Sequence, residues 1–144
     1  MAEVRAEAMV TKVRQHNSFL TPLVVEVMPS GKRFRLYNDF TYLWRREYIE
    51  IHVRRGFVTD FASIPKIFRI IIPKLGRWNK AALIHDAIYQ DRSFCLNALR
   101  HRLTRQDADL IFLDAMTDLG VAKWKRTLMY LSVRVGGWMA WRKR

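Results

Sequence analysis

The chain has one cysteine in 144 residues, Cys95, so no intrachain disulfide can hold it together. A single thiol fits a reducing compartment. With no basic microenvironment argued for it, it reads as a small buried hydrophobe rather than a nucleophile. Acidic residues are scarce: 13 Asp and Glu face 26 Lys and Arg, a formal net charge of +13. Self-repulsion of that size is eased by an anionic partner, whether nucleic acid, an acidic membrane surface, an anionic envelope polymer or an acidic protein neighbour. Long apolar runs are also missing. The longest, Ile67 to Pro73, contains Arg69 and falls far short of the about 18 residues of a membrane span, so no transmembrane span is expected. Met1 to Arg14 mixes Glu3, Glu7, Arg5 and Arg14 without an apolar core, unlike a secretion signal. Glycine-rich phosphate loops, Cys-x-x-Cys pairs, His-Glu-x-x-His, a nucleophile elbow and sequence-reading nucleic-acid motifs are absent, as are internal repeats.

What is present suffices for one folded domain, since 50% of the residues are hydrophobic. Residues 1–18 read as an N-terminal arm and 19–144 as a single domain. Leu23 to Met28, the turn composition Pro29-Ser30-Gly31-Lys32 and the alternating Arg33 to Tyr37 predict a hairpin. Asn38-Asp39 turns the chain again, and Tyr48 to Val53 has strand composition. Ser63 then caps a short helix, with Pro65 in its first turn and Pro73 and Gly76 ending it. Asn79 caps the next, which runs to about Gln90. Residues 91–103 read as a loop with helical turns. Thr104 opens a clear helix with Asp107 at capping-box spacing, an apolar stripe of Ala108, Ile111, Phe112, Ala115, Met116 and Leu119, and Gly120 as its stop. The last helix spans about Lys123 to Trp141, where Gly136-Gly137 permits close packing. This order predicts an α+β fold, a small N-terminal antiparallel sheet packed against about four C-terminal helices.

Two polar stretches interrupt the apolar pattern. Asp60 and Ser63 lie within Gly56-Phe57-Val58-Thr59-Asp60-Phe61-Ala62-Ser63-Ile64-Pro65, and His85 and Asp86 within a helix that otherwise reads as buried. Buried groups of this kind must be paired, bound or used. On a helix His85 and Tyr89 share a face, while Asp86 points about 100° away. In one reading Asp60 orients the His85 ring and His85 is a general base, with Asp86 and Tyr89 in support. In another, Asp60, His85 and Asp86 ligate a divalent metal; Asp109 is a fourth group if the 104–119 helix packs beside the 79–90 helix. In a third there is no chemistry: Asp60 accepts backbone N–H bonds, Ser63 caps a helix, and His85 donates to Asp60 within an internal polar network.

Two surfaces are candidates for partners. Residues 121–144 carry seven Lys or Arg and no acid. Trp124, Leu128, Leu131, Val135 and Trp138 recur at spacings of four and three, and this stripe reads as closing the core through Leu128, Leu131 and Val135. Trp124, Lys125, Arg126, Trp141, Arg142, Lys143 and Arg144 remain for a membrane, nucleic-acid or assembly contact. Arg45-Arg46 and Arg54-Arg55, with Trp44 and Tyr48, suggest a second basic-aromatic surface. His52 reads as a solvated strand residue.

The Gly56–Pro65 run, Ala81-Ala82-Leu83-Ile84-His85-Asp86-Ala87-Ile88-Tyr89, Ala108-Asp109-Leu110-Ile111-Phe112, Gly120-Val121, and Met129-Tyr130 through Val133-Arg134-Val135-Gly136-Gly137-Trp138 resemble, in order, the family called domain of unknown function 1353, over about residues 20–140. Its members are small proteins of tailed bacteriophages, prophages and their hosts. The resemblance therefore implies a phage-related origin, synthesis in the host cytoplasm and, for a component of the particle, incorporation into the virion. It brings no activity. The family pattern falls on Asp60, Ser63, His85, Asp86, Tyr89, Asp109 and Arg134. The helical His-Asp-x-x-Tyr is also similar to that of secreted phospholipases A2, from which the chain departs in lacking disulfides and a glycine-rich calcium loop. Two functions are expected: a structural or accessory component binding an acidic partner through its basic and aromatic surfaces around an internal Asp60-Ser63-His85-Asp86 network, or a small hydrolase, metal-assisted or not, centred on Asp60 and His85.

Overall fold

Among the described residues short strands build three antiparallel sheets, and the helices run from twelve to twenty residues. The computed structural model describes residues 18–61, 70–73, 75–91, 93–96 and 99–142, with the backbone alone for 93–96 and 99–101. Strand β1 (Val25–Val27) pairs with β2 (Phe34–Leu36), Val25 facing Leu36, across a turn in which Gly31 takes φ +64°. Strand β5 (Val58–Thr59) joins the other edge of β2, Phe34 facing Thr59. Between them the chain makes the hairpin β3 (Phe40–Trp44) and β4 (Ile49–Val53). Its inward positions, Phe40, Tyr42, Trp44, Ile49, Ile51 and Val53, are all buried, the period-two pattern of a strand with one covered face. Helix α1 (Asn79–Gln90), a third hairpin of β6 (Ser93–Leu96) and β7 (Leu99–Arg102), α2 (Arg105–Asp118) and α3 (Lys123–Arg142) complete the described fold.

The α+β class is as expected, but three helices stand among the described residues where about four were anticipated. Most of the short helix expected from Ser63 falls in residues 62–69, outside the described residues, as does nearly all of the 1–18 arm; residues 70 and 71 form a turn. The first hairpin, the capping box on Thr104 and the stop at Gly120 (φ +67°) lie where the residues placed them. Two local expectations fail, and one strand goes unanticipated. Residues 93–96 and 99–102 pair as antiparallel strands rather than forming a loop with helical turns; each strand is four residues long, too short for a periodic signal. Strand β3 is not foreshadowed either. Asn79 does not cap α1: its side chain accepts from the Gly76 N–H at 2.9 Å, and Trp78 occupies the cap position without a side-chain bond.

The β3–β4 hairpin is fastened to α2 by polar bonds at the rim of the core. Trp44 Nε1 donates to Asp114 at 2.9 Å, Arg46 clasps both oxygens of the same carboxylate, and Tyr42 donates to Asp118 at 3.1 Å. Burial, then the Asp118 charge and hydrogen bond, raise the Tyr42 phenol above its ordinary value, so it remains a donor. The second basic-aromatic surface is therefore not as expected. Trp44 is core and Arg46 is held by Asp114, while Tyr48 stays exposed. His52 lies exposed, beside Thr41 and Glu50, as its strand position suggested.

Helix α3 corrects the largest expectation. Its buried residues are Met129, Ser132 and Val133. Leu131 is 53% exposed, Val135 76% and Trp138 47%, so the four-and-three stripe lies outside instead of closing the core; Leu128 alone packs partly against it. At 100° per residue Met129, Val133 and Gly137 form a second line, half a turn from Trp124 and Val135. That line docks because Gly137 sits under the Tyr89 ring, where a Cβ would collide with the phenolic oxygen. Gly136 has open space around it. Gly136→Ala is accordingly expected to stabilise the protein by about 0.5–1 kcal/mol through helix propensity. Gly137→Ala, chemically the same change, is expected to destabilise it by roughly 1–3 kcal/mol through overpacking. Thermal unfolding followed by circular dichroism checks the opposite signs.

Candidate functional site

Helix α1 carries the polar motif because its sequence is apolar on nearly every side. Ala81, Ala82, Leu83, Ile84, Ala87 and Ile88 are buried, so the helix lies within the core and His85 and Asp86 must find partners there. They find different ones. His85 turns inward to α2, where its Nε2 lies 3.0 Å from Asp109 Oδ1. An ionised carboxylate only accepts, so Nε2 carries the proton. Tyr89, one turn on, donates to the same oxygen at 2.7 Å, and its ring lies against the imidazole with centroids 4.2 Å apart. Phe112 closes the other side of His85 at 4.9 Å.

The second oxygen of Asp109 faces two arginines. Arg134 of α3 donates to Oδ2 at 2.9 Å, and Arg105, one turn before Asp109 on α2, stands 3.7 Å away while donating to the Arg134 carbonyl. Asp109 is fully buried and joins all three helices. Burial pushes its carboxyl up, but the hydrogen bonds from His85 and Tyr89, the His85 charge and the Arg134 bond outweigh it and hold the carboxyl below its ordinary value. Burial and the bond to Asp109 raise the Tyr89 phenol, which stays protonated and donating.

Asp86 leaves α1 toward β5. Thr59 Oγ1 donates to its Oδ2 at 2.6 Å and accepts the Phe61 N–H at 3.0 Å. Phe61 has φ +52°, a left-handed backbone that bulky residues avoid, and is buried with its ring 5.0 Å from that of Phe34. The segment around Asp60 is thus forced into an uncommon turn by the Thr59–Asp86 bond and by packing. Asp60, Asp86 and Tyr89 line one groove of about 420 Å³ together with Arg33, Thr59 and Gln90.

The anticipated constellation is therefore divided. Asp60, Asp86 and Tyr89 meet in the groove. His85 stands behind it, oriented by Asp109 rather than Asp60, and Nδ1 makes no hydrogen bond with a described residue. Among the described residues no three His, Cys, Asp or Glu side chains are grouped to hold a metal ion. Ser63 lies outside the described residues. Asp109, expected only as a peripheral ligand, is the hub, because α1 and α2 do pack together. Arg105 was missed; its signal was its i,i+4 spacing to Asp109, an arrangement that helices use for ion pairs. Of the surface candidates, Trp124 and Arg142 are exposed, and Lys125 and Arg126 half-buried. Arg126 donates to the Val121 carbonyl, and Trp141 packs edge-on against Tyr89 at 5.0 Å. Lys143 and Arg144 lie outside the described residues.

Residues 34–133 match the family described as "Protein of unknown function (DUF1353)". No curated protein and no solved structure matches the chain.

A carboxylate depressed by its partners stabilises the fold above the unfolded Asp value of about 3.9 and ceases to as pH falls through the lower folded value. Asp109→Asn is expected to cost roughly 3 kcal/mol at neutral pH, and Tyr89→Phe roughly 1–2 kcal/mol. Urea unfolding at pH 7 and at pH 3 checks both, and the gap between wild type and Asp109→Asn should narrow in acid.

Proposed function

The chain belongs to the DUF1353 family, and we propose that it is a phage-related accessory component that binds an anionic partner through α3, with the Asp109 network serving to fix that helix. One observation carries the reading: the apolar stripe of α3 faces outward, on a helix that carries cations and no acid. Trp124 is 55% exposed and Met139 55%, in line with Leu131, Val135 and Trp138. Lys123, Lys125, Arg126 and Arg142 belong to the same helix, and residues 121–144 contain no Asp or Glu. Exposed apolar area of this kind marks interaction surfaces. Both oxygens of Asp109 are engaged by side chains from three helices, which accounts for His85, Tyr89 and Arg134 in structural terms.

A second reading, a small hydrolase, rests on a separate observation. The Asp60–Asp86–Tyr89 groove is backed by a histidine whose Nε2 is held by a buried carboxylate while Nδ1 has no partner among the described residues. That arrangement suits a general base. The strained Phe61 beside Asp60 is of the kind that gathers at functional sites.

The two readings separate by substitution in a phage or lysogen that encodes the chain. Val135→Glu with Trp138→Glu alters only exposed side chains and is expected to abolish function while the protein stays folded. Asp60→Asn and Asp86→Asn are expected to leave function intact. Loss of function in the aspartate variants with α3 variants unaffected would instead establish the groove as the working site.

A further inference from the structure

Resting on the reading of α3 as the binding face, we infer that its occupant is the surface of an anionic phospholipid bilayer, on which the helix lies without crossing. No helix among the described residues is long and apolar enough to span a membrane. Trp124, Leu131, Val135, Trp138 and Met139 fall within about 100° of the helix circumference, measured at 100° per residue. They form a convex ridge rather than a groove, and a ridge of two indoles and three aliphatic or thioether side chains needs no complementary pocket when its partner is a deformable acyl boundary.

Charge then narrows the occupant. Lys123 and Lys125 stand about 100° to either side of Trp124, and Arg142 at the end of the helix lies over the Trp138 ring at 5.4 Å. A second copy docked on the ridge would set these cations against their equivalents on a chain of formal charge +13. Nucleic acid would satisfy the cations and stack on the tryptophans, but leaves Leu131, Val135 and Met139 without an apolar partner. An anionic bilayer satisfies both: apolar side chains enter the acyl boundary, indoles sit at headgroup depth, and Lys and Arg reach lipid phosphates.

Lys125 Nζ lies 5.6 Å above the Trp78 ring and 5.4 Å from that of Trp124, joining the start of α3 to the segment before α1. In that segment Ile70 is 92% exposed and Ile71 58%. These are two neighbouring branched aliphatic residues exposed in a turn.

The full-length protein is to be sedimented with phosphatidylcholine vesicles with and without phosphatidylglycerol, and its tryptophan fluorescence followed with brominated acyl chains. Binding to phosphatidylglycerol vesicles, quenching by the brominated chains, and a loss of affinity of at least about tenfold in Leu131→Glu/Val135→Glu with an unchanged circular-dichroism spectrum are expected. Absence of binding, binding that the double variant retains, or binding without quenching overturns the inference. If vesicles stay unbound while the α3 variants abolish function in the phage, the docking face stands and its partner is an acidic protein. If both fail, the surface reading of α3 fails with them.

Discussion

A buried carboxylate must be neutralised where it lies, and in this protein that requirement falls on Asp109. A lone ion there would cost several kcal/mol; four side chains from three helices remove the cost. The solution is geometric as well as electrostatic. Arg134 can reach Oδ2 only if α3 presents the Met129–Val133–Gly137 side to α1 and α2, and Gly137 is what lets the helix come close enough to Tyr89. Once that rotation is fixed, the more apolar stripe is half a turn away, in solvent. The exposed ridge and the buried ion cluster are thus one structural decision.

Helix α1 divides two environments. His85 and Tyr89 belong to the ion cluster, whereas Asp86, a single residue further along, belongs to the turn at Thr59–Phe61. Holding Phe61 at positive φ costs about 1–3 kcal/mol, and the Thr59 hydroxyl, shared between the Phe61 N–H and Asp86, is what opposes relaxation. Tyr89 touches both sides, donating to Asp109 and lining the groove. A change in the groove therefore has a physical route to the helix junction.

The elements legible in the sequence were those with local signals. Thr104 and Asp107 announce their capping box, Gly31 and Gly120 sit where φ is positive, and Ala108 through Met116 bury a conventional stripe. His85 and Asp86 were recognisable as groups needing partners, and their divergence followed from helix geometry. The partners themselves were not legible, because Asp109 and Arg134 are 24 and 49 residues from His85 and only packing brings them together. The stripe of α3 misled for the same reason. Periodicity reports that a helix has an apolar side, not that this side is the one buried, and the residues that decide its rotation, Gly137 and Arg134, carry no hydrophobic signal.

Many of the described acids serve the fold. Asp39 accepts a backbone N–H, Asp86 a hydroxyl and Asp107 its cap; Asp109, Asp114 and Asp118 bind Arg, His, Trp or Tyr. With 13 acids in all, much of the negative charge is committed to holding the fold. Among the described residues these aspartates bind Arg46, Arg105 and Arg134. The chain carries a formal net charge of +13, and α3 itself contains no acid. A surface that combines uncompensated cations with aligned tryptophan, leucine and valine is unfavourable in water on both counts, and only a partner that is anionic and apolar together relieves both.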